Sequence, residues 1–476
     1  MKFENLLFGL KWSFLERASV IVLQIILEIL LARLLLPADY GILGMIAVVV
    51  AFANVFIDGG FSNALIHFQD RTVKDEAAVF YLSMFIGLLS YVILYVAAPS
   101  ISLFYSRDLT LLLRVIGIGI IFNAFGVLYR AKMVIDLNFK SQTKFSILSM
   151  VVSGIAGVVL AIKGFGVWSL VAQTLIYTLL FNMFLFLNFR TVPISSLETK
   201  SLRRITGFGS KIFLSSVIHA LYFNAYPVIL GKVHTPQIVG LYSKANQLSV
   251  YPAGLFASVL QRVFFPYLSG MQQDQAAVYR LNLTVIKWYA MAVFPVAGLV
   301  VFFAPELIVW LLSDRWDEIV LPLQILLSAA AFFPIIILNM NILQVLGKGG
   351  LFLRTEVLTK CIGIVILFLT FRSGFSVICC GILLQIILQW VITSIISSKI
   401  LGMNSVGQLF TVSRVVLSNV FLIGFLEIIR QWTDYSGVWY TVLSIAFFAM
   451  IYLMIIRYFY LSDLLQLKHL LLKRKE

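Results

Sequence analysis

Residues 41–66 read GILGMIAVVVAFANVFIDGGFSNALI, an apolar run in which Asp58 is the only charged residue. The hydrocarbon core of a bilayer is about 30 Å thick and needs about 20 mostly apolar residues to cross it as a helix. Runs of this kind recur along the 476-residue chain. Membrane-spanning β-strands are about 10 residues long and alternate strictly between apolar and polar residues, and these runs do neither. The pattern predicts an all-α integral membrane protein.

The composition of the whole chain agrees with this prediction. Hydrophobic residues make up 61% and charged residues 12%, with a mean hydropathy of +1.00. Soluble proteins are about 45–50% apolar and about 25% charged, so soluble enzymes and nucleic-acid-binding modules are excluded. The net charge of +15 therefore does not indicate nucleic acid as a partner. In a membrane protein an excess of Lys and Arg is typical of cytoplasmic loops.

Counting apolar runs between polar or turn residues predicts fourteen transmembrane helices. Most Lys and Arg residues fall on the side that holds the N-terminus, the even-numbered connections and the C-terminus, which places both ends in the cytoplasm. No removable signal peptide is recognised at the N-terminus. The predicted spans lie near 18–36, 41–66, 77–98, 109–129, 146–162, 166–188, 212–231, 245–268, 284–304, 319–346, 354–371, 375–397, 411–430 and 437–458.

An internal repeat at an offset of about 200 residues predicts how these spans are grouped. The segment Phe8–Lys11 (FGLK) recurs as Phe208–Lys211 (FGSK), and Pro37–Gly41 recurs as Pro236–Gly240. A duplicated six-helix unit has an even number of spans, so both copies cross the membrane in the same sense, related by a pseudo-two-fold axis along the membrane normal. We expect two parallel six-helix bundles and two extra C-terminal helices. The expected boundaries are 1–188 for the first bundle, 189–211 for a basic cytoplasmic linker, 212–397 for the second bundle, and 398–476 for the two extra helices and a basic tail.

Charges inside apolar spans are candidate functional groups, because a charge at the centre of a membrane costs about 2.5–3.5 kcal/mol on insertion scales. Glu28 stands alone in LQIILEILLARLLL. It is predicted either to be a cavity carboxylate that binds substrate or an ion, or to be paired with Arg33 or a neighbouring helix. Asp58 precedes two glycines. It is predicted either to serve close helix packing at these glycines or to line a cavity. His219 could titrate near neutrality, or be a hydrogen-bonded structural histidine.

A second set of charged residues lies near the predicted cytoplasmic ends of the spans. Headgroup contact or snorkelling explains any single member of this set. Together, however, several would line a central opening between two bundles and favour an anionic headgroup there. The substrate-binding candidates are Lys11, Arg17, Lys211, Arg262 and Arg130.

The sequence shows no motif for catalysis or for cofactor binding. It contains no G-x-x-x-x-G-K-[ST] phosphate loop, no H-E-x-x-H motif and no nucleophile elbow. Its three cysteines, Cys361, Cys379 and Cys380, have a spacing that suits neither a disulfide framework nor a zinc site. We therefore expect a protein that is not an enzyme, with no cofactor, no metal site and no catalytic residues.

The stretch from Ala32 to Ile66 resembles a known family. Its A-R-L-L-x-P-x-D-Y-G run at Ala32–Gly41 and its D-G-G-F-x-x-A-L-I run at Asp58–Ile66 are similar to the opening of bacterial polysaccharide transporters. These are the O-antigen, colanic acid and teichuronic acid type (Wzx-like) flippases of the multidrug/oligosaccharidyl-lipid/polysaccharide exporter superfamily. The fourteen-span layout agrees with that resemblance along the whole chain.

The resemblance implies a function and a set of partners. Such proteins move undecaprenyl-diphosphate-linked oligosaccharides from the cytoplasmic to the periplasmic leaflet of the bacterial inner membrane. The polysaccharide polymerase and the chain-length machinery are further partners that it implies. Two alternatives stay open: a cation-coupled multidrug exporter of the same superfamily, and a membrane enzyme that polymerises or ligates lipid-linked sugars.

Overall fold

The computed structural model describes residues 20–136, 138–193, 198–433, 447–448 and 450–452. In the described part of the chain the regular structure is helical throughout. The helices are α1 (20–34), α2 (Pro37–Asp58), α3 (Phe61–His67), α4 (Val73–Tyr105), α5 (Thr110–Ile116), α6 (Ile118–Ile135), α7 (Phe139–Ile162), α8 (Val167–Phe189), α9 (Thr199–Val233), α10 (Pro236–Gly270), α11 (Gln275–Phe302), α12 (Ala304–Leu311), the 3₁₀ helix η1 (Asp314–Ile319), α13 (Val320–Ala330), α14 (Phe333–Val345), α15 (Gly349–Thr370), α16 (Phe375–Ile400) and α17 (Val406–Thr433).

Ten helical segments among the described residues are long and apolar enough to cross a membrane. They cover the predicted spans two to seven, nine, ten, twelve and thirteen, so an all-helical, multi-pass membrane protein is confirmed. The eighth and eleventh predicted spans coincide with α10 and α15; α15 carries three charged residues, Arg354, Glu356 and Lys360. Most of the fourteenth span lies outside the described residues. The count of fourteen therefore stays a prediction.

Local sequence signals explain where the helices begin and end. Pro37 opens α2, and the backbone N–H of Leu36 donates to Asp39 Oδ2 at 3.0 Å, so a free backbone donor at the helix start is satisfied. The helix ends at Gly59, whose φ of 48° favours a residue without a Cβ. Thr72 and Asp75 form a capping box at the start of α4.

The surface of the helices is as apolar as the interior. On α4, the side chains of Phe85, Val96 and Leu103 are 66–78% exposed. Exposed apolar surface on this scale is unfavourable in water. The described helices therefore carry the surface of a protein whose solvent is lipid.

The chain divides into two compact units. The first comprises the described residues up to Gln247, with Ile308–Pro322 and Leu367–Ile378; the second comprises Leu248–Leu307, Leu323–Ile366 and the described residues from Cys379 onward. These are packing units, and the expected division into bundles 1–188 and 212–397, with their linker and C-terminal segment, stays a prediction.

Within the second unit, α11, α14, α16 and α17 enclose an apolar core around Ile286, Phe294 and Trp390. Next to it lies a buried polar cluster centred on Asn339, whose Oδ1 accepts hydrogen bonds from Gln408 Nε2 at 3.0 Å and from Asn282 Nδ2 at 3.4 Å. Buried amides need such partners, and these bonds link α11, α14 and α17.

In the first unit, α2 and α10 cross at two glycines. A Cβ on Gly41 would lie 1.7 Å from the carbonyl oxygen of Pro236, and a Cβ on Gly240 would lie 1.8 Å from the carbonyl oxygen of Pro37. Only glycine permits this backbone approach. The contact is reciprocal between the segments Pro37–Gly41 and Pro236–Gly240, and the predicted internal duplication stays a prediction.

Candidate functional site

An ion pair between Glu28 of α1 and Lys244 of α10 lies inside the first unit. The side chain of Lys244 is 1% exposed and that of Glu28 is 24% exposed. On α1, the apolar side chains of Val22, Ile26 and Leu30 are exposed, and Glu28 and Arg33 are the charged residues of this helix. Burying an ammonium without a partner is very unfavourable, so the carboxylate accounts for the presence of Lys244 in this position.

Two further groups complete the surroundings of the pair. Gln247 Nε2 donates to Glu28 Oε1 at 3.3 Å. Lys244 and Gln247 are three residues apart on α10 and therefore share one face of the helix. On the other side, Lys244 Nζ lies 4.5 Å from the centroid of the Tyr40 ring, a cation–π distance. The site thus holds one carboxylate, one ammonium, one amide and one aromatic face.

The glycine crossing places these groups together. Tyr40 directly precedes Gly41 on α2, and Lys244 follows Gly240 by one turn on α10. Because the two backbones touch at the glycines, the ring of Tyr40 and the side chain of Lys244 come within contact distance. The sequence repeat therefore has a local consequence for the site.

Of the two pairings foreseen for Glu28, the structure has the one with a neighbouring helix. Arg33 instead donates from Nε to the carbonyl oxygen of Leu311 at 2.8 Å and from Nη2 to that of Trp310. The last carbonyls of a helix have no partners within it, so Arg33 satisfies two acceptors at the end of α12. This arrangement leaves Glu28 to Lys244.

Asp58 and Arg130 belong to a second polar group of the first unit. Arg130 donates from Nη1 to Asn182 Oδ1 at 2.7 Å and from Nη2 to the carbonyl oxygen of Asn123 at 2.9 Å. Asp58 accepts a hydrogen bond of 2.5 Å from the hydroxyl of Ser62 and lies close enough to Arg130 to interact with it electrostatically.

The other candidates divide into those the structure describes and those it does not. His219 on α9 stacks on Phe223, with ring centroids 4.2 Å apart. Lys11 and Arg17 lie outside the described residues. For Lys211 on α9 and Arg262 on α10 only the backbone is described. A cationic opening lined by these four residues stays a prediction.

Sequence reasoning did not select Lys244, Gln247 or Tyr40. A usable signal for Lys244 exists, because it is the only charged residue between Pro236 and Gln261. The predicted span began at residue 245, so Lys244 was assigned to a connection. For Tyr40 no local signal exists, since aromatic residues are common near the ends of membrane helices.

No group of three or more His, Cys, Asp or Glu residues in the described part of the chain is arranged to hold a metal ion. The Glu28–Lys244 site itself can exchange ionic partners. A carboxylate can accept a proton or a cation, and the ammonium can then bind another anion.

The fold and this site define a multi-pass helical membrane protein with an ion pair buried among its helices. Residues 30–321 match the model of a family described as "Polysaccharide biosynthesis protein". The chain belongs to this polysaccharide biosynthesis protein family.

Three proteins with similar sequences are named for the biosynthesis or transport of polysaccharides. The teichuronic acid biosynthesis protein TuaB of Bacillus subtilis (strain 168) is 24% identical over 73% of this chain and 72% of its own length. The succinoglycan biosynthesis transport protein ExoT of Rhizobium meliloti (strain 1021) is 25% identical over 56% of this chain and 54% of its own length. The lipopolysaccharide biosynthesis protein WzxC of Escherichia coli (strain K12) is 22% identical over 68% and 66%.

Two solved structures share the fold. The lipid II flippase MurJ, in an inward closed conformation, has a TM-score of 0.76 at 13% identity and covers 95% of this chain and 99% of its own. An inward-facing multidrug resistance MATE family transporter of the MOP superfamily has a TM-score of 0.61 at 16% identity, covering 80% and 95%. Both likenesses are likenesses of fold, and the resemblance to bacterial polysaccharide transporters that the sequence indicated is confirmed by the family match.

Proposed function

We propose that this protein is a flippase that moves undecaprenyl-diphosphate-linked oligosaccharide repeat units from the cytoplasmic to the outer leaflet of a bacterial inner membrane. The surface polysaccharide built from them would be an O-antigen, an exopolysaccharide or a capsule. The observation that carries the proposal is the family match over residues 30–321, joined to relatives named for the biosynthesis or transport of three different surface polysaccharides.

The physical problem of such transport is the polar head. A diphosphate and many sugar hydroxyls are unfavourable in hydrocarbon, whereas the polyprenyl tail is compatible with it. A protein that shields the head alone, by alternating access through a cationic opening, lowers most of the barrier. The candidates Lys11, Arg17, Lys211, Arg262 and Arg130 are proposed to contact the diphosphate or acidic sugars.

The Glu28–Lys244 pair suits a role in the transport cycle. Glu28 is the more exposed partner, and Lys244 is shielded. Protonation of Glu28, or binding of a cation to it, frees the ammonium, which then favours an oxygen of the diphosphate. We propose this exchange as the step that couples ions to cargo. Asp58 is proposed as a second carboxylate that shapes the cavity or couples ions, and His219 as a further cavity residue.

The proposal is tested in a strain that lacks the gene. We expect complete undecaprenyl-diphosphate repeat units to accumulate on the cytoplasmic leaflet, and the wild-type gene to restore export. Unpolymerised units that still reach the periplasm would instead indicate a polymerase or ligase. Unchanged lipid-linked sugars together with altered drug tolerance would indicate a multidrug exporter, the second function known for this fold.

A further inference from the structure

A segment of the first unit, residues 308–322, is fastened to the end of α1, and we call it the strap. The indole Nε1 of Trp316, whose side chain is fully buried, donates to the carbonyl oxygen of Ala32 at 2.9 Å. In the opposite direction, Arg33 donates to the carbonyl oxygens of Leu311 and Trp310. The strap and α1 therefore satisfy each other's terminal backbone acceptors.

The strap is also in contact with the ion pair through Tyr40. The ring of Tyr40 meets Trp316 edge to face, with centroids 5.5 Å apart and planes at 73°. The face of the same ring carries the ammonium of Lys244 at 4.5 Å. The Tyr40 hydroxyl has no hydrogen-bond partner among the described residues, so the ring connects the two sides and the hydroxyl does not.

We propose that Tyr40 and Trp316 are positioning residues that make the attachment of the strap depend on the ionic state of the Glu28–Lys244 pair. This inference rests on the proposed function and adds to it a route from charge exchange to movement. When Glu28 is neutralised, the shielded ammonium of Lys244 loses its counter-charge and moves toward another anion or water. Tyr40 then loses the cation on its face, and Trp316 loses the fixed ring edge that holds it against α1.

The test measures how readily the strap opens. In a background without the three native cysteines, Ile319→Cys places a thiol at a fully buried strap position, and Asp317→Cys places one at an exposed strap position. The purified protein in lipid nanodiscs is labelled with N-ethylmaleimide. We expect Glu28→Gln to raise the labelling rate at position 319 about tenfold, within the usual range of site-to-site coupling, and to leave the rate at position 317 unchanged.

A double-mutant cycle shows whether Tyr40 carries the effect. Tyr40→Leu alone should raise labelling at position 319, and adding Glu28→Gln should then change the rate less than about twofold. Tyr40→Phe is the matched control, because it removes only the unpartnered hydroxyl, and it should keep the full response to Glu28→Gln. The proposal would be overturned if Glu28→Gln raised the labelling rate as much in the Tyr40→Leu protein as in the wild type.

Two further variants keep the test decisive. If Tyr40→Leu does not fold, Trp316→Phe replaces it in the cycle: it removes the bond to Ala32 and should likewise abolish the response to Glu28→Gln. Gln237 also donates to Glu318 on the strap at 2.9 Å, so Gln237→Ala controls for a direct link from α10. Loss of the response in Gln237→Ala but not in Tyr40→Leu would contradict the proposed route.

The labelling result and the function are separable. Export of lipid-linked glycan by the same variants is measured independently of the labelling rate. The coupling alone would be refuted if the wild-type protein exports glycan while the effects of Glu28→Gln and Tyr40→Leu on the labelling rate multiply in the double variant. A chain that shows the coupling but exports no lipid-linked glycan would refute the proposed cargo alone.

Discussion

At the scale of single residues, Lys244 is defined by its one carboxylate partner. Removing one member of a fully buried ion pair costs about 3–5 kcal/mol, whereas replacing both with neutral groups is often tolerated. Glu28 is 24% exposed, so a carboxylate left without its partner is less shielded than an ammonium left at Lys244. The side chain of Lys244 is only 1% exposed, which makes the two single substitutions unequal.

The first prediction concerns this pair. We expect Glu28→Gln to lower thermal stability in detergent more than Lys244→Met, because it leaves the shielded ammonium uncompensated. The double variant Glu28→Gln/Lys244→Met should recover most of the stability and still fail to export glycan. A stable double variant that exports at the wild-type rate would show that the pair is only structural.

The second prediction concerns Arg130. Hydrogen bonds to charged groups contribute about 1.5–3 kcal/mol, and Asn182 supplies one of the two described bonds to this guanidinium. Asn182→Ala should therefore destabilise the protein by an amount in that range. Thr178→Ala is a suitable control, since the Thr178 side chain is half-buried and its described hydroxyl bond goes to the carbonyl of Thr174 on its own helix. Equal losses in the free energy of unfolding for Asn182→Ala and Thr178→Ala would contradict the role of Asn182.

At the scale of elements, the crossing of α2 and α10 depends on two glycines. The third prediction is that Gly41→Ala and Gly240→Ala each prevent the native approach, because the new Cβ would lie within 2 Å of a carbonyl oxygen. Both should abolish export and lower expression of folded protein. Gly254→Ala on the same α10 is the matched control: nothing lies within 4 Å of its Cβ position, and alanine favours a helix by about 0.5–1 kcal/mol. Equal losses in all three variants would argue against the crossing.

The contact between the start of α4 and α9 contains a charged pair outside the spans. Arg204 hydrogen-bonds to Asp70 and thereby lowers the pKa of that carboxyl below its usual 3.8. A lowered carboxyl pKa stabilises the folded protein at pH values above the ordinary pKa of the group. This contribution disappears as the pH falls through the lowered pKa.

The fourth prediction follows from the direction of this pKa shift. Asp70→Asn should reduce the melting temperature slightly at pH 7, because the pair is solvent-exposed. The difference from wild type should vanish below the lowered pKa, in melting curves recorded across the acid range. Asp108→Asn, which changes an exposed aspartate with no described ion pair, is the control. A difference that persists or grows in acid would contradict the pairing.

At the scale of the whole molecule, the length of α4 fixes which connections face opposite sides. Its 33 residues span about 50 Å at 1.5 Å each. Its first turn lies beside Arg204, and its last turn leads to Asp108. The distribution of Lys and Arg assigns the first of these ends to the cytoplasm.

The fifth prediction tests that orientation. In a cysteine-free background, a membrane-impermeant maleimide applied to intact spheroplasts should label the Asp108→Cys variant and spare the Arg203→Cys variant. Both positions are exposed, so lysed membranes should label both. Labelling of the Arg203→Cys variant alone in intact spheroplasts would mean that the orientation is inverted.

Local patterns in the sequence were sufficient for the fold class. Apolar runs located the ten membrane-compatible segments that the structure describes, since length and hydropathy are properties of each segment alone. They also marked Glu28, because a lone carboxylate among leucines and isoleucines is conspicuous without any knowledge of its neighbours. The motif from Ala32 to Ile66 indicated the family in the same way.

The partners of those residues were decided by tertiary structure. Glu28 and Lys244 are 216 residues apart, and no periodicity within α1 or α10 relates them. Lipid and apolar side chains are nearly equivalent surroundings for a membrane helix, so hydropathy says that a helix is in the bilayer and not which helix it touches. The steric fit of Gly41 against Gly240 makes that choice. The sequence alone therefore determined a helical membrane protein and marked Glu28 as a carboxylate in an apolar span. Only the packing of α1, α2 and α10 gave that carboxylate a lysine and connected it to the strap.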